Sequence, residues 1–590
     1  MYEKNGLMKE RWIEFTKKAD FEAWGKELGV SPLTARLLRN RDVTTLTEAR
    51  QYLYGTMEEL SDPHLMKDMD KAAALLSSAV NAGEKIAIVS DFDDDGIFAG
   101  EILYEGLRNL GSRPVLYTPE RVTEGYGINK RIIDEALSDG CSVILTCDNG
   151  IAAVEACAYA KAQGLTVIVT DHHEPQPVLP PADALVDPKQ EDCAYPFKGL
   201  CGAGVAFRLI QVLYSLYGIP EEKEEELYEY AAIATVADVM ELKGENRIIV
   251  KAGLSKLRMT EKVGLQALID VCGLEKALIN AYQIGFVIGP CFNAVGRLSN
   301  VKLAFELLQT NDMVTAIELA NEIHALNEER KRQTEEGYAL AVSEVEHSSL
   351  KNDRVMVTYV PGVHESVIGI IAGRLKEKYW RPVIAFAEGQ EQLLKGSGRS
   401  IPAYHMLKAL LPQAELMERF GGHAMAAGLS IKPENLANLR AALNRDCALT
   451  DKDMEPVVDI DARLPLSYVT EKMINECALL EPFGTGNPRP LFARPHFKIH
   501  QMRIIGKNRN SLRLVVSDGS GARMEAMLFN EAEGFLQLMR KTYGDAETDK
   551  ALRGVDNALD AAFAYQPEVN EFRGEKSLRI TIRHYCVIGG

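Results

Sequence analysis

Between Glu84 and about Val239, four apolar runs alternate with helix-like stretches: KIAIVS (85 to 90), PVLYT (114 to 118), SVILTC (142 to 147) and LTVIVT (165 to 170). Unbroken β-rich runs separated by helices are what a parallel sheet covered on both faces requires. The pattern predicts a doubly wound α/β domain over residues 76 to 300. Residues 1 to 75 read as short helices without identifiable chemistry. From 314 to 346, apolar residues recur three or four apart at Ala316, Ala320, Ile323 and Leu326, then at Tyr338, Ala341 and Val345. The middle of that stretch, NEERKRQTEE, is almost wholly polar. A helix with apolar ends and a solvated centre bridges two domains, so residues 301 to 348 are expected to form a long connecting helix. A second, smaller α/β domain is expected over 349 to 450, with strands at VMVTYV and PVIAFA. From 455 to 590, alternating strands with the turn sequences GKNRN, SDGSG and FRGEK predict a small antiparallel, OB-like barrel. No internal repeat or low-complexity tract interrupts the chain.

The bulk numbers fit that division. With 590 residues, 46% apolar and 26% charged, the chain can bury several cores and should form about three or four domains. The first thirty residues interleave Lys4, Lys9, Arg11, Lys17 and Lys18 with acids, which argues against a secretory signal, and no stretch reaches the ~18 apolar residues of a membrane helix. A cytoplasmic location is expected, with no membrane partner. Ten cysteines without a CxxC pair point to reduced thiols rather than a disulfide framework or a structural zinc site. The net charge of −17 speaks against a nucleic-acid partner, because phosphate binding depends on Lys and Arg releasing counterions. Yet Arg494, Lys498, Arg503, Lys507, Arg509 and Arg513 crowd one segment that contains no Asp or Glu. Either a solvated face or a binding strip accounts for that run.

The candidate chemistry lies just beyond the predicted elements of the first α/β domain. KIAIVS leads into DFDDDG, with Asp91, Asp93 and Asp95. SVILTC leads into Asp148, Asn149 and Gly150; LTVIVT leads into Asp171, His172 and His173; and Asp238 lies near the end of AAIATVADV. Ligands in open α/β sheets bind outside the carboxyl ends of the strands, so these loops should converge on one crevice. Several carboxylates pressed together repel unless cations neutralise them. Oxygen ligands with one or two imidazoles favour Mn²⁺ or Mg²⁺ over zinc, and a bridging carboxylate such as Asp148 could hold two divalent cations about 4 Å apart for phosphodiester hydrolysis. Taken singly, each motif has a plainer explanation. DxDxD fits a solvated turn or a calcium loop, the His pair a surface feature, and Asp238 a helix cap.

DFDDDG, TCDNGI, DHHEP and ATVADV, in this order and spacing, resemble the four motifs of the DHH phosphoesterase family. The resemblance implies a two-metal site with Asp93, Asp95, Asp148, His172 and Asp238 as ligands and His173 at the scissile phosphate. It leaves Asp91 and Asp171 either as further ligands or as acceptors that orient one. RVTEGYGIN (121 to 129), YPFKGLCGAGVAFRL (195 to 209), GPCFNAVGRL (289 to 298), HESVIGIIAGRL (364 to 375), GSGRS (396 to 400), GGHAMAAG (421 to 428) and EPFGTGNPRPLF (481 to 492) extend the likeness over roughly residues 80 to 590. They resemble a branch of the family that degrades single-stranded DNA from the 5′ end. On that likeness, Arg297, Arg399, Gly421, Gly422 and His423 would meet phosphate, and Lys507 and Arg509 of the barrel would grip the strand. A structural salt bridge is the alternative for Arg297, and a tight turn for the glycine-rich segments. SLR at 511 to 513 departs from the family's HLK-like pattern, and Ser366 stands where Gly is usual. Recombination and repair are the expected setting, with a helicase or single-strand-binding protein as expected partners. Two alternatives stay open: a DHH phosphodiesterase for short oligonucleotides or cyclic dinucleotides, and a catalytically silent DHH scaffold.

Overall fold

A computed structural model describes residues 2–4, 8–121, 123–389, 392–572 and 574–587. Val122 of RVTEGYGIN and Arg573 of FRGEK lie outside the described residues. The chain forms two compact units. One comprises residues 47–331 with 481–488, and the other residues 1–46, 332–480 and 489–590.

The first unit is built on five parallel strands, β1 (Lys85–Ser90), β2 (Val115–Tyr117), β3 (Cys141–Cys147), β4 (Thr166–Thr170) and β5 (Ala184–Val186), in the order β2-β1-β3-β4-β5. Successive side chains of a strand face opposite ways, and here both faces are dry. Ile86 and Ile88 enter a core shared with helices α1 (Asp94–Asn109), α2 (Gly202–Tyr217) and α3 (Tyr228–Ala237), whereas Ala87 and Val89 enter another with Ile132, Ile133 and Cys157. Each fully buried aliphatic contributes about 1.5–3 kcal/mol, which is why these runs read as continuous apolar segments. The four predicted strands match to within a residue or so. β5 is only three residues long, too short for a period. Helix α4 (Gly289–Leu298) follows a π-helical turn at Ile284–Ile288.

Helix α5 (Met313–His347) serves both units. Its first part buries Ala316, Ala320 and Ile323 in the core of the first unit, and its last part buries Ala341 and Val345 in a core of the second. The polar middle is laced by Lys331–Glu328 (2.7 Å) and Arg332–Glu336 (2.8 Å).

The second unit carries a mixed sheet of β6 (Met356–Tyr359), β7 (Val383–Glu388), β8 (Leu394–Arg399), β9 (Arg419–Gly422) and β10 (Ala426–Ile431), ordered β9-β10-β8-β7-β6. Its barrel consists of β11 (Phe492–Ile505), β12 (Ser511–Ser517), β13 (Arg523–Leu528), β14 (Asp560–Phe572) and β15 (Glu575–Cys586). These run in the order β11-β12-β13-β15-β14, and β11–β14 pairing closes the ring. The barrel departs from the expected all-antiparallel pattern at β13–β15, which is parallel. It also contains a helix, α6 (Ala532–Arg553), broken at Gly544 where φ is +84°.

The N-terminal segment corrects the all-helical expectation. Met8–Glu14 is a strand, paired in parallel with Val457–Ile460 so that Trp12 meets Val458. The helix Met69–Asn81 crosses the expected boundary at 75. Glu481–Pro488, read with the barrel in sequence, packs instead with the first unit, where the Thr485 carbonyl accepts from Leu242 N at 2.8 Å. Among the described residues, no helix is long and apolar enough to cross a membrane.

Candidate metal centre

Each acidic loop is held by its own backbone geometry. β1 runs into Asp91, and Asp93 caps α1 by accepting from Gly96 N at 3.1 Å. Asp94 and Asp95 follow in the first turn, where the helix dipole favours negative charge. The Asp95 carboxylate accepts from Gly202 N at 2.6 Å and Ala203 N at 2.8 Å, the first amides of α2. A Cβ on Gly202 would lie 2.5 Å from the Asp148 Cβ, so only glycine lets α2 come this close.

β3 delivers Asp148 in the left-handed conformation, φ +59°, which Asp tolerates better than most side chains. Asn149 fastens the turn, donating to Val89 O (3.0 Å) and Cys147 O (2.9 Å) and accepting from Ile128 N (3.1 Å). β4 delivers Asp171, whose carboxylate accepts from Ile151 N (2.9 Å), His172 N (2.7 Å), His173 N (3.2 Å) and His173 Nδ1 (2.8 Å). The three bonds to His172 and His173 make Asp171 the group that orients the His pair. Asp238 stands at the C-terminal end of α3. A carboxylate at that negative end of the helix dipole is unfavourably placed, which a cation would correct.

These loops meet. His172 Nε2 lies 3.1 Å from Asp148 Oδ1, 3.5 Å from Asp95 Oδ2 and 3.9 Å from Asp238 Oδ2, and His173 Nδ1 lies 3.9 Å from Asp148 Oδ1. Two overlapping ligand groups result, Asp148–His172–His173 and Asp95–His172–Asp238, each with its donor atoms within 4.8 Å of one another. Asp93 stands outside both groups.

Unit charges 4 Å apart interact by about 4 kcal/mol at an effective dielectric of 20, and the titration behaviour reflects it. Burial, then Asp95 and Asp93, push the Asp148 carboxyl well above its ordinary range. Burial, then Asp93, does the same at Asp91 and Asp94. Burial, then Asp95, raises Asp93 and pushes Asp238 up to about 9. His172 is lowered by burial despite Asp95, which favours a neutral imidazole able to donate a lone pair. Burial opposes protonation of His173, but the Asp171 hydrogen bond and charge outweigh it and raise its pKa.

Asp91 Oδ2, both Asp94 oxygens, Asp148 Oδ1 and His172 Nδ1 are buried without a hydrogen-bond partner. Natural proteins rarely leave such atoms unpaired. Oxygen-rich donors, one neutral imidazole and orphaned carboxylate oxygens fit divalent cations of the Mn²⁺ or Mg²⁺ kind.

Several groups around the centre escaped the sequence reading. Tyr126, half exposed, donates its hydroxyl to the Asp148 carbonyl, stands 3.2 Å from His173 Nδ1, and packs edge-on against Phe92 and His173. Its sequence signal was its place in RVTEGYGIN, where it stands between Gly125 and Gly127, two glycines that the structure holds at positive φ. Arg121 lies over the Phe92 ring at 4.6 Å. Arg297 is pushed down to about 10 by burial and then by Arg121, while Asp94 favours its charge. Arg330 of α5 adds a third guanidinium to this neighbourhood. The salt-bridge and phosphate alternatives for Arg297 therefore concern one guanidinium facing Asp94 within a basic cluster.

The remaining candidates belong to the second unit. Arg399 donates to Ser397 Oγ (2.9 Å) and Gly398 O (2.8 Å) and has no acidic partner among the described residues; burial lowers its pKa. Gly421 pairs with Gly428, which pairs with Ser397, giving a row nearly free of side chains across three strands. His423 is exposed at its end. Ser366, expected to alter a backbone approach, is not at positive φ and contacts His364 Nδ1 at 2.7 Å. The basic strip is only half as positive as its sequence implies. Arg494 faces Asp518, Lys498 faces Asp556, and Arg513 faces Glu525, whereas Arg503, Lys507 and Arg509 are exposed without an acidic partner among the described residues.

Three segments of the chain match known family models. Residues 85–237 match the DHH family N-terminal domain, 352–448 the DHHA1 domain and 460–584 the RecJ OB domain. The single-stranded-DNA-specific exonuclease RecJ of Haemophilus influenzae is 34% identical over 578 residues, covering 95% of this chain and 96% of that protein. The chain belongs to the RecJ family. The Bacillus subtilis RecJ is 36% identical over 529 residues, 89% of this chain, and the chain spans 66% of that longer relative. The crystal structure of Thermus thermophilus RecJ in complex with Mn²⁺ superposes with a TM-score of 0.82 at 27% identity, covering 99% of this chain and 80% of that one. The same RecJ in complex with Mg²⁺ gives 0.77 at 26% identity, covering 99% and 79%.

Proposed function

We propose that this RecJ-family protein is a single-stranded-DNA-specific 5′-to-3′ exonuclease that hydrolyses phosphodiesters with two divalent cations, Mn²⁺ or Mg²⁺, in DNA recombination and repair. The observation that carries the reading is the pair of ligand groups sharing His172. Bound there, such cations supply charge neutralisation and an acidified water. Asp95, Asp148, His172 and Asp238 would hold them, Asp93 would join as a ligand from beside both groups, and Asp91, with a buried unpartnered oxygen, would serve as a further ligand or an acceptor that orients one. Asp171 orients His173 through its hydrogen bond, and His173 meets the scissile phosphate. Tyr126 fixes the Asp148 backbone. Arg297, with Arg121 and Arg330, receives the terminal phosphate; Arg399, Gly421, Gly422 and His423 receive further phosphates through a guanidinium, bare backbone amides and an imidazole.

We assign residues 76–300 to the phosphoesterase domain, 301–348 to the connector, 349–450 to the associated domain and 455–590, apart from Glu481–Pro488, to strand binding. The barrel, with Arg503, Lys507 and Arg509 unneutralised, suits single-stranded DNA better than a cyclic dinucleotide, which needs no such surface. A cytoplasmic location and a helicase or single-strand-binding partner belong to the same proposal. The test is a time course on 5′- and 3′-labelled single strands and duplexes with each metal. Mononucleotides released from the 5′ end of single strands alone are expected; equal cleavage of duplex and single strand defeats the proposal.

A further inference from the structure

Away from the carboxylates, the first unit brings two thiols together. Cys272 closes the helix Val263–Val271 and is partly exposed, whereas Cys291 sits in the first turn of α4, fully buried. Their sulfurs are 3.8 Å apart. Cys291 Sγ also donates to the Val287 carbonyl (3.2 Å) and accepts from Asn327 Nδ2 of α5 (3.4 Å). The metal centre uses neither cysteine.

We infer that Cys272 and Cys291 are a hydroperoxide-sensitive thiol pair whose closure to a disulfide displaces α4 and slows the enzyme. A disulfide needs about 2.05 Å between sulfurs, so the sulfurs must approach by about 1.8 Å. Of the two, Cys272 is the partly exposed residue and Cys291 the buried one. When the Cys291 S–H turns from the Val287 carbonyl to Cys272, its hydrogen bond lowers the Cys272 pKa, against partial burial and with help from the Lys331 ammonium, so Cys272 presents more of the reactive thiolate. Its sulfur attacks the peroxide: an S–O bond forms, the O–O bond breaks, and hydroxide leaves to be protonated to water. Cys291 sulfur then attacks the sulfenic acid: the S–S bond forms, the S–O bond breaks, and the Cys291 thiol proton leaves with the hydroxyl as a second water. Two thiols lose two electrons and one hydrogen peroxide becomes two waters.

Helix α4 has no room to absorb the movement. A Cβ on Gly289 would meet Ala237 Cβ at 2.8 Å and Asp94 Oδ2 at 2.9 Å, and one on Gly296 would meet the Phe92 carbonyl at 1.9 Å. The backbone of α4 thus rests on the loop carrying Asp93–Asp95 and on the end of α3 that carries Asp238, and Arg297 is the residue after Gly296. A pull at Cys291 reaches all three.

The test treats the full-length, metal-loaded protein with hydrogen peroxide, removes the excess, and reads both a non-reducing peptide map and turnover on a single-stranded oligonucleotide. Expected are a linked Cys272–Cys291 peptide and a loss of roughly 10-fold or more in turnover, both reversed by dithiothreitol. Cys272→Ser, a partly exposed position outside the site, should keep basal turnover within about two-fold and lose both responses; Cys272→Ala serves as a second variant. The inference is overturned if both cysteines stay open to alkylation after peroxide, or if C272S loses turnover as the wild type does. Mass reads the link whether or not the protein is an exonuclease, so failure here is distinguishable from failure of the assigned activity, on which only the turnover readout rests.

Discussion

Gly202→Ala sets helix propensity against the geometry of the centre. Alanine is worth up to about 1 kcal/mol over glycine in a helix, so propensity alone predicts a more stable protein. The new Cβ, however, would lie 2.5 Å from Asp148 Cβ, 2.8 Å from its Cα and 2.9 Å from its Oδ1, where ordinary contact begins at 3.4 Å. Asp148 or α2 must then retreat by about 1 Å, and a displacement of that size can cost up to roughly 100-fold in rate. Overpacking itself costs about 1–3 kcal/mol. The displacement also strains the amides that hold Asp95 at 2.6 and 2.8 Å. The expected outcome is a 10- to 100-fold fall in turnover with weakened Mn²⁺ binding, measured by single-strand hydrolysis and by metal-dependent thermal shift. Gly373→Ala, in the helix Ile368–Tyr379 with nothing within 4 Å of the added Cβ, is the control and should be neutral or stabilising. If G202A binds Mn²⁺ and turns over like the wild type, the close approach of α2 to Asp148 is not what shapes the centre.

Asp148→Asn keeps a side chain that tolerates φ +59° and removes the charge; hydrolysis should fall by more than about 10³-fold with an unchanged circular-dichroism spectrum, and retained turnover would remove Asp148 from the centre. Tyr126→Phe deletes the bond to the Asp148 carbonyl and should cost about 0.5–1.5 kcal/mol, read as a several-fold loss of turnover with Km little changed. Asp238, with its folded pKa raised to about 9, binds more protons folded than unfolded, so it makes the metal-free protein less stable as pH rises from its unfolded pKa of about 4 toward 9. Mn²⁺ should relieve this, so the metal-induced rise in Tm should grow from pH 5 to 8; a shift that shrinks with pH would contradict the sign. Replacing Arg503, Lys507 and Arg509 together with Ala removes up to three phosphate contacts and should flatten the salt dependence of oligonucleotide binding by about 2 in slope, measured by fluorescence anisotropy.

What could be read in sequence was local or periodic. KIAIVS and SVILTC are strands because both faces are dry, and α5 announced its two buried ends by spacing. Asp95, Asp148, His172 and Asp238 were legible as a set because each ends a predicted element. The strand Met8–Glu14 was not, because its partner Val457–Ile460 lies far along the chain and nothing nearby encodes the pairing. The barrel helix α6 hid behind the break at Gly544. The strip from Arg494 to Arg513 looked more basic than it is, since the acids that neutralise half of it, Asp518, Glu525 and Asp556, come from other segments. Tyr126, Arg121, Asp94 and Arg330 were missed because motif positions identify ligands more readily than the groups that press on them.

The strap formed by Glu481–Pro488 gives biosynthesis a late checkpoint. Leu242, four residues beyond Asp238, waits for the Thr485 carbonyl to receive its amide, and Gly484 and Gly486 nestle against Leu242 and Glu241. A ribosome that has delivered every carboxylate of the centre must still translate more than two hundred further codons before that amide finds its acceptor. A message truncated before the codon for Glu481 would therefore yield a polypeptide with all its ligands and an unfastened loop behind Asp238.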